Sequence, residues 1–124
     1  MSSVIRGQVV LVDFPYSDGR QSKIRPALVV QADAHNRSLI KTIIALITGN
    51  LRRRGHPAHI LLDPVDEPIV GINGPSLVSC INLYTVEQSS ILRVIGQLTP
   101  ELQSEVDLAL GHTLQLPIAT NSAP

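Results

Sequence analysis

The chain of 124 residues has no tryptophan, a single phenylalanine, two tyrosines and a single cysteine. One cysteine, Cys80, excludes an internal disulfide and argues against a structural zinc site. So few aromatics leave almost no stacking platforms; Tyr16 and Tyr84 are the wet candidates, so recognition of a base would rest on hydrogen bonds. Net charge is also missing, because ten Lys and Arg offset ten Asp and Glu. Bulk charge therefore gives no general affinity for nucleic acid, and phosphate binding would need a local cluster. No basic stretch followed by an apolar run opens the chain, so no signal peptide is expected. No apolar run nears the roughly 20 residues that cross a bilayer. The expectation is a cytoplasmic protein without a membrane partner.

What is present is apolar and β-branched. Hydrophobic residues make up 44% of the chain and charged ones 16%, which argues against disorder. Val, Ile and Leu dominate, and that bias favours sheet over helix. The length fits one domain, read as residues 1–117, with 118–124 as a flexible tail. Strands are expected at Gln8–Phe14, Ala27–Gln31, Ile40–Ile47, His59–Leu62, Ser76–Leu83 and Ile91–Leu98. A polar loop with Asp18-Gly19 separates the first two, and a turn carrying Asn36 and Arg37 precedes the third. Thr48–Pro57 reads as a basic loop between glycines.

One helix stands out. Thr99 can cap it, Pro100 suits its first position, and Leu102, Val106, Ala109, Leu110 and Thr113 recur on one face. Short strands with a terminal helix imply a mainly β, α+β protein built on a small curled sheet or barrel.

Three stretches stand out when read in order. The first is Arg6-Gly7-Gln8-Val9-Val10 through Phe14, followed after a loop by Arg25-Pro26-Ala27-Leu28-Val29-Val30. The second is Ile47-Thr48. The third is Ser76 to Thr85, then Gly96-Gln97-Leu98 and the helix through Leu116. Each motif is weak alone, but their order spans nearly the whole chain, and together they resemble the MazF/PemK/Kid family of toxins. The resemblance implies an SH3-like barrel with a C-terminal helix, a homodimer and a cognate antitoxin partner. It also implies cleavage of single-stranded RNA in a groove, by a reaction that needs no metal or other cofactor. Many members carry a carboxylate where this chain has Ile81 and an arginine where it has Tyr84; the arginine that some use two positions before the carboxylate is Ser79 here. A mechanism that needs an acid at position 81 is therefore in question.

Metal-free RNA cleavage uses the neighbouring 2′-hydroxyl as nucleophile. The protein must accept its proton, neutralise charge on the phosphorus oxygens and protonate the leaving 5′-oxygen. Arg25 suits the second task, since a guanidinium stays charged and grips phosphate through two N–H groups. The plainer alternative is a strand-end arginine paired with Asp13 or Asp18. Thr48 could donate its hydroxyl to a phosphate oxygen, and the family resemblance implies a catalytic role for both residues. His59 has the right intrinsic pKa to carry a proton, and a surface histidine is the competing reading.

Arg52, Arg53 and Arg54 form the densest basic cluster, suited to an RNA backbone or an acidic antitoxin, though a solvated loop looks the same in sequence. Asp18, Arg20, Ser22 and Lys23 lie in or beside the loop that in the family covers RNA. Asn50, Ser76 and Asn82 complete the set of RNA-binding candidates, and the Asn82 amide can read a base edge. A related fold-mate, the gyrase-poisoning CcdB toxin, acts by binding and typically ends in a tryptophan-containing tail. This chain ends Ala-Thr-Asn-Ser-Ala-Pro. A catalytically inactive member kept as a binding module is the third alternative.

Overall fold

Runs of Val, Ile and Leu broken by turn residues form six strands in the computed structural model: β1 (Gln8–Phe14), β2 (Lys23–Val29), β3 (Lys41–Thr48), β4 (His59–Leu62), β5 (Ser76–Glu87) and β6 (Ile91–Gln97). All pair antiparallel in one sheet, in the order β4-β5-β3-β2-β1-β6. The structure describes residues 3–14 and 22–117; the Asp18-Gly19 loop and the 118–124 tail lie outside the described residues. Register breaks in the β1–β6 and β3–β5 pairs add local twist and curl the sheet into a half-barrel.

Side chains alternate across the strands, so both faces of the sheet are covered. On one face Val9, Leu28, Ala45, Ile47, Leu62, Val78 and Cys80 pack against the helix α2 (Pro100–Leu114) through Leu102, Val106 and Ala109. On the other, Val10, Val12, Ala27, Val29 and Ile44 make a second cluster. Thr99 caps α2 as its sequence suggests, its side chain accepting from the Leu102 N–H at 3.2 Å.

Besides β5, which runs on to Glu87, four residues past the expected Leu83, two elements differ from the sequence reading. The residues around Asn36 and Arg37 form a short helix, α1 (Asp33–Ser38), rather than a turn. Asn36 explains it, because its amide is buried instead of wet. Its Oδ1 accepts from Gln31 Nε2 and Thr42 Oγ1, at 2.9 and 2.7 Å, and its Nδ2 donates to the Gln31 carbonyl. The second difference is that β2 starts at Lys23, four residues before the expected Ala27. Pro26 is tolerated because β2 pairs with β3 only from Ala27 onward, so no partner on that side needs its missing N–H.

The family-like Arg6-Gly7 and Gly96 prove to be scaffold. Arg6 donates to the Val30 carbonyl through Nε and pairs with Asp107 of α2 through NH2 at 2.6 Å, tying the N-terminus to the helix. Gly7 adopts φ 92°, a left-handed conformation, while its N–H and C=O bond Val29 and Leu98. A Cβ on Gly96 would sit 2.3 Å from the Val70 carbonyl oxygen, so only glycine lets that connection lie against β6.

Candidate active site

Where β2 and β3 stop pairing, the sheet opens. The β2–β3 register sets Ala27 against Leu46, and carried on two residues it sets Arg25 against Thr48. Both line a cavity of about 350 Å³ with Asn50, Arg52, Arg53, His59, Ser79 and Asn82. Three guanidinium groups thus surround a space whose lining includes no carboxylate. Among the described residues no acid pairs with Arg25, so the Asp13 alternative has no ion pair to support it. Asp18 lies outside the described residues.

The loop after β3 is shaped by its own polar side chains. Thr48 Oγ1 accepts the Asn50 N–H at 3.1 Å, and Asn50 Oδ1 accepts the Arg52 N–H at 3.0 Å. These local turns hold the loop so that Arg52 and Arg53 border the cavity. The Thr48 hydroxyl proton remains available, since among the described residues that oxygen only accepts.

The floor is a chain of hydrogen bonds. His59 on β4 is the register partner of Ser79 on β5, which puts both side chains on one face. His59 Nε2 lies 3.2 Å from Ser79 Oγ, and Asn82 Nδ2 donates to the same oxygen at 2.8 Å. Residues three apart in a strand ordinarily point to opposite faces. Here Leu83 pairs with Ala45 while Ser79 pairs with Leu46, and this break in β5 lets Asn82 turn back to Ser79. On the far side, His59 Nδ1 lies 3.4 Å from His56 Nδ1. Burial lowers the His59 pKa from its ordinary 6.5, with further contributions from His56 and Arg53, so the ring favours its neutral form. Ser79 is 1% exposed and His59 9%, so Asn82, which is exposed, forms the accessible end of the chain.

The structure brings together Arg25, Thr48, His59, Asn50, Arg52, Arg53 and Asn82. It does not bring three other candidates to the cavity. Ser22 and Lys23 are exposed near the start of β2, and Ser76 sits at the opposite end of the β4–β5 pair, where its hydroxyl donates to the Gly74 carbonyl. Arg20 and Asp18 lie outside the described residues, as does Tyr16. Ser79 and His56 were not among the candidates; Ser79 stood out only as the place of a missing arginine, and His56 only as part of the Thr48–Pro57 loop. Ile81, 49% exposed, and Tyr84, edge-on to Phe14, take no part in the lining. Cys80 beside Ser79 is inert, its thiol pushed up to about 11 by burial.

Guanidinium groups, a free hydroxyl and two amides around an acid-free cavity are chemically suited to a polyanion that also has hydrogen-bonding edges. The chain belongs to the PemK-like, MazF-like toxins of type II toxin–antitoxin systems, whose family model matches residues 5–114. It is 30% identical over 114 residues to the endoribonuclease EndoA of Bacillus subtilis, covering 91% of this chain and 96% of that one. It is 28% identical over 115 residues to the endoribonuclease MazF2 of Mycobacterium bovis, covering 91% and 98%. Among solved structures, a mycobacterial endoribonuclease in complex with its cognate antitoxin superposes with TM-score 0.73 at 24% identity, covering 93% of this chain and 98% of that one. A MazE–MazF crystal structure from Deinococcus radiodurans gives TM-score 0.75 at 22% identity, covering 94% and 100%. These likenesses bear out the mainly β fold with a C-terminal helix.

Proposed function

We propose that this chain is the toxin of a toxin–antitoxin pair and that it cuts single-stranded RNA in the Arg25–Thr48 cavity without a metal. The observation that carries the reading is the acid-free arginine lining, in a chain whose charges sum to zero. The endoribonuclease relatives give the reaction class.

In this mechanism the 2′-oxygen attacks the adjacent phosphorus and the 5′-oxygen leaves with a proton taken from water, giving a 2′,3′-cyclic phosphate and a 5′-hydroxyl. Arg25 binds two phosphate oxygens and stabilises the charge that grows on them. Thr48 donates its free hydroxyl proton to one of these oxygens. The nucleophile's proton passes through water to His59, whose ring is held neutral by burial and able to accept it. Arg52 and Arg53 hold neighbouring phosphates, and Asn50 and Asn82 face the bases. Ser22 and Lys23, exposed near the start of β2, belong to the loop side of the RNA path. The antitoxin competes for the same arginines, and the protein works in the cytoplasm. A second copy of the chain covers exposed Ile40, Leu92 and Val94, giving the homodimer.

The test is cleavage of a long single-stranded RNA in excess EDTA by wild type, Arg25→Ala and Thr48→Ala. Cleavage at a short recurrent motif, lowered about 100-fold or more by Arg25→Ala, is expected. A folded wild type that cuts nothing would transfer the site to a binding function. Cleavage that survives both substitutions would move the chemistry elsewhere.

A further inference from the structure

The hydrogen bonds under the cavity all run in one direction. His56 Nδ1 accepts the Ala58 backbone N–H at 3.1 Å, so in the neutral ring that nitrogen carries no proton. His59 Nδ1 lies 3.4 Å from the same atom. Two bare nitrogens there would oppose their lone pairs, so His59 Nδ1 holds the proton and points it at His56. The lone pair of His59 is then on Nε2, and the Ser79 hydroxyl donates to it. With its one proton committed, Ser79 Oγ can only accept, and Asn82 Nδ2 donates to it. The amide is held with its NH₂ group inward. Among the described residues Asn82 Oδ1 has no partner, and Asn82 lines the cavity.

We propose that this chain makes Asn82 a fixed hydrogen-bond acceptor that selects an RNA base carrying an exocyclic amino group, namely cytosine, adenine or guanine. The proposal rests on the ribonuclease reading above and adds to it the residue that sets base choice and the reason for its direction. An exocyclic amino group donates to Oδ1, whereas a keto oxygen in its place meets it acceptor to acceptor. A free asparagine amide turns to suit either; this one cannot without breaking the chain behind it.

Protonation reverses the direction. A charged His59 donates from Nε2 to Ser79, whose proton then turns to Asn82 Oδ1 and sends the NH₂ group into the cavity. The groups that face His59 are His56 and Arg53 from the preceding loop and Ser79 from β5. Arg25 of β2 and Arg52 share its cavity, and His112 of α2 stands behind His56 with ring centroids 6.5 Å apart. Glu105, also on α2, is the acidic group on that side, lining a groove with Pro57 and His112. The surroundings nearest His59 are cationic or neutral, and they hold it neutral at physiological pH.

Sequencing the new 5′ ends from a randomised RNA pool gives the cleavage motif of wild type and of Asn82→Ala. The position whose preference the variant loses is the base that Asn82 reads. Cytosine, adenine or guanine is expected there. A matched oligonucleotide with the deaminated base (uridine, inosine or xanthosine for cytosine, adenine or guanine) should be used roughly 5- to 150-fold less well by wild type at neutral pH, and equally well by Asn82→Ala. The ratio of the two substrates should shrink in Ser79→Ala, which frees the amide, and on acidification through the histidine range. Uridine at that position, no position lost in Asn82→Ala, or a ratio unchanged by Ser79→Ala would each overturn the proposal. Binding of 2′-O-methyl copies of the same oligonucleotides reads the ratio without cleavage, so an inactive wild type counts against the ribonuclease reading alone. Nitrogen NMR of the rings tests the direction itself: a His59 proton found on Nε2 rather than Nδ1 overturns it.

Discussion

His59 and Ser79 face each other across the β4–β5 pair with Nε2 and Oγ 3.2 Å apart, and this contact joins a titrating group to the cavity floor. Its first consequence is for stability. Burial lowers the His59 pKa below 6.5, so in the folded state the ring resists protonation. Between the folded value and 6.5 the unfolded chain binds more protons, and stability rises with pH through that window. The contribution is complete above 6.5 and is lost as pH falls towards the folded pKa. Thermal melting from neutral to mildly acid pH should show wild type losing more Tm than His59→Gln. Parallel curves would mean that His59 titrates as it does in the unfolded chain.

Arg25 should not be replaceable by lysine. A single ammonium keeps the charge but not the two-point grip on phosphate. Arg25→Lys is expected to retain RNA binding within several-fold while the single-turnover cleavage rate drops about 100-fold or more. A near-normal rate would reduce Arg25 to a general source of positive charge.

Arg52 and Arg53 should act on the RNA backbone through charge alone. For single strands the slope of log K against log salt is about 0.7 per phosphate neutralised. Replacing both with Gln should flatten the slope by roughly 1.4, measured with an uncleavable RNA, and should leave the cleavage motif unchanged. A slope equal to that of wild type would assign these arginines to solvent or to the antitoxin.

Asn36 is the hub of a buried polar cluster that ties α1 to β3. Asn36→Ala strips partners from Thr42 and the Gln31 carbonyl and leaves buried polar atoms unsatisfied. Denaturant unfolding should show a loss of about 2–3 kcal/mol. A loss well below 1 kcal/mol would mean that water replaces the amide.

The strands whose faces repeat plainly were legible in the sequence. Gln8–Phe14 and His59–Leu62 are bounded as their apolar pattern and turn residues imply, and Thr99-Pro100 opens the helix. Helix α1 was not legible, because asparagine's local preference is for turns, and only tertiary burial against Gln31 and Thr42 makes it helical. Arg25 and Thr48 became candidates through motif resemblance, since neither stands out in composition. The Ser79–Asn82 contact was invisible, because it depends on a register break that no alternation pattern announces. His56 was missed for a similar reason: its role comes from facing His59 and the Ala58 N–H, a relationship set by the turn before β4.

The arginine-lined cavity in a chain of zero formal charge also governs how the protein meets its target. Its field fades over about a Debye length, ~8 Å at physiological salt. RNA is therefore drawn in only over that short range, where a cleft lined by one sign of charge focuses its field. Silencing becomes simple for the same reason. A few carboxylates laid over the cavity cancel the local positive charge and tip the whole complex to a net negative one, which repels the substrate as well as blocking it.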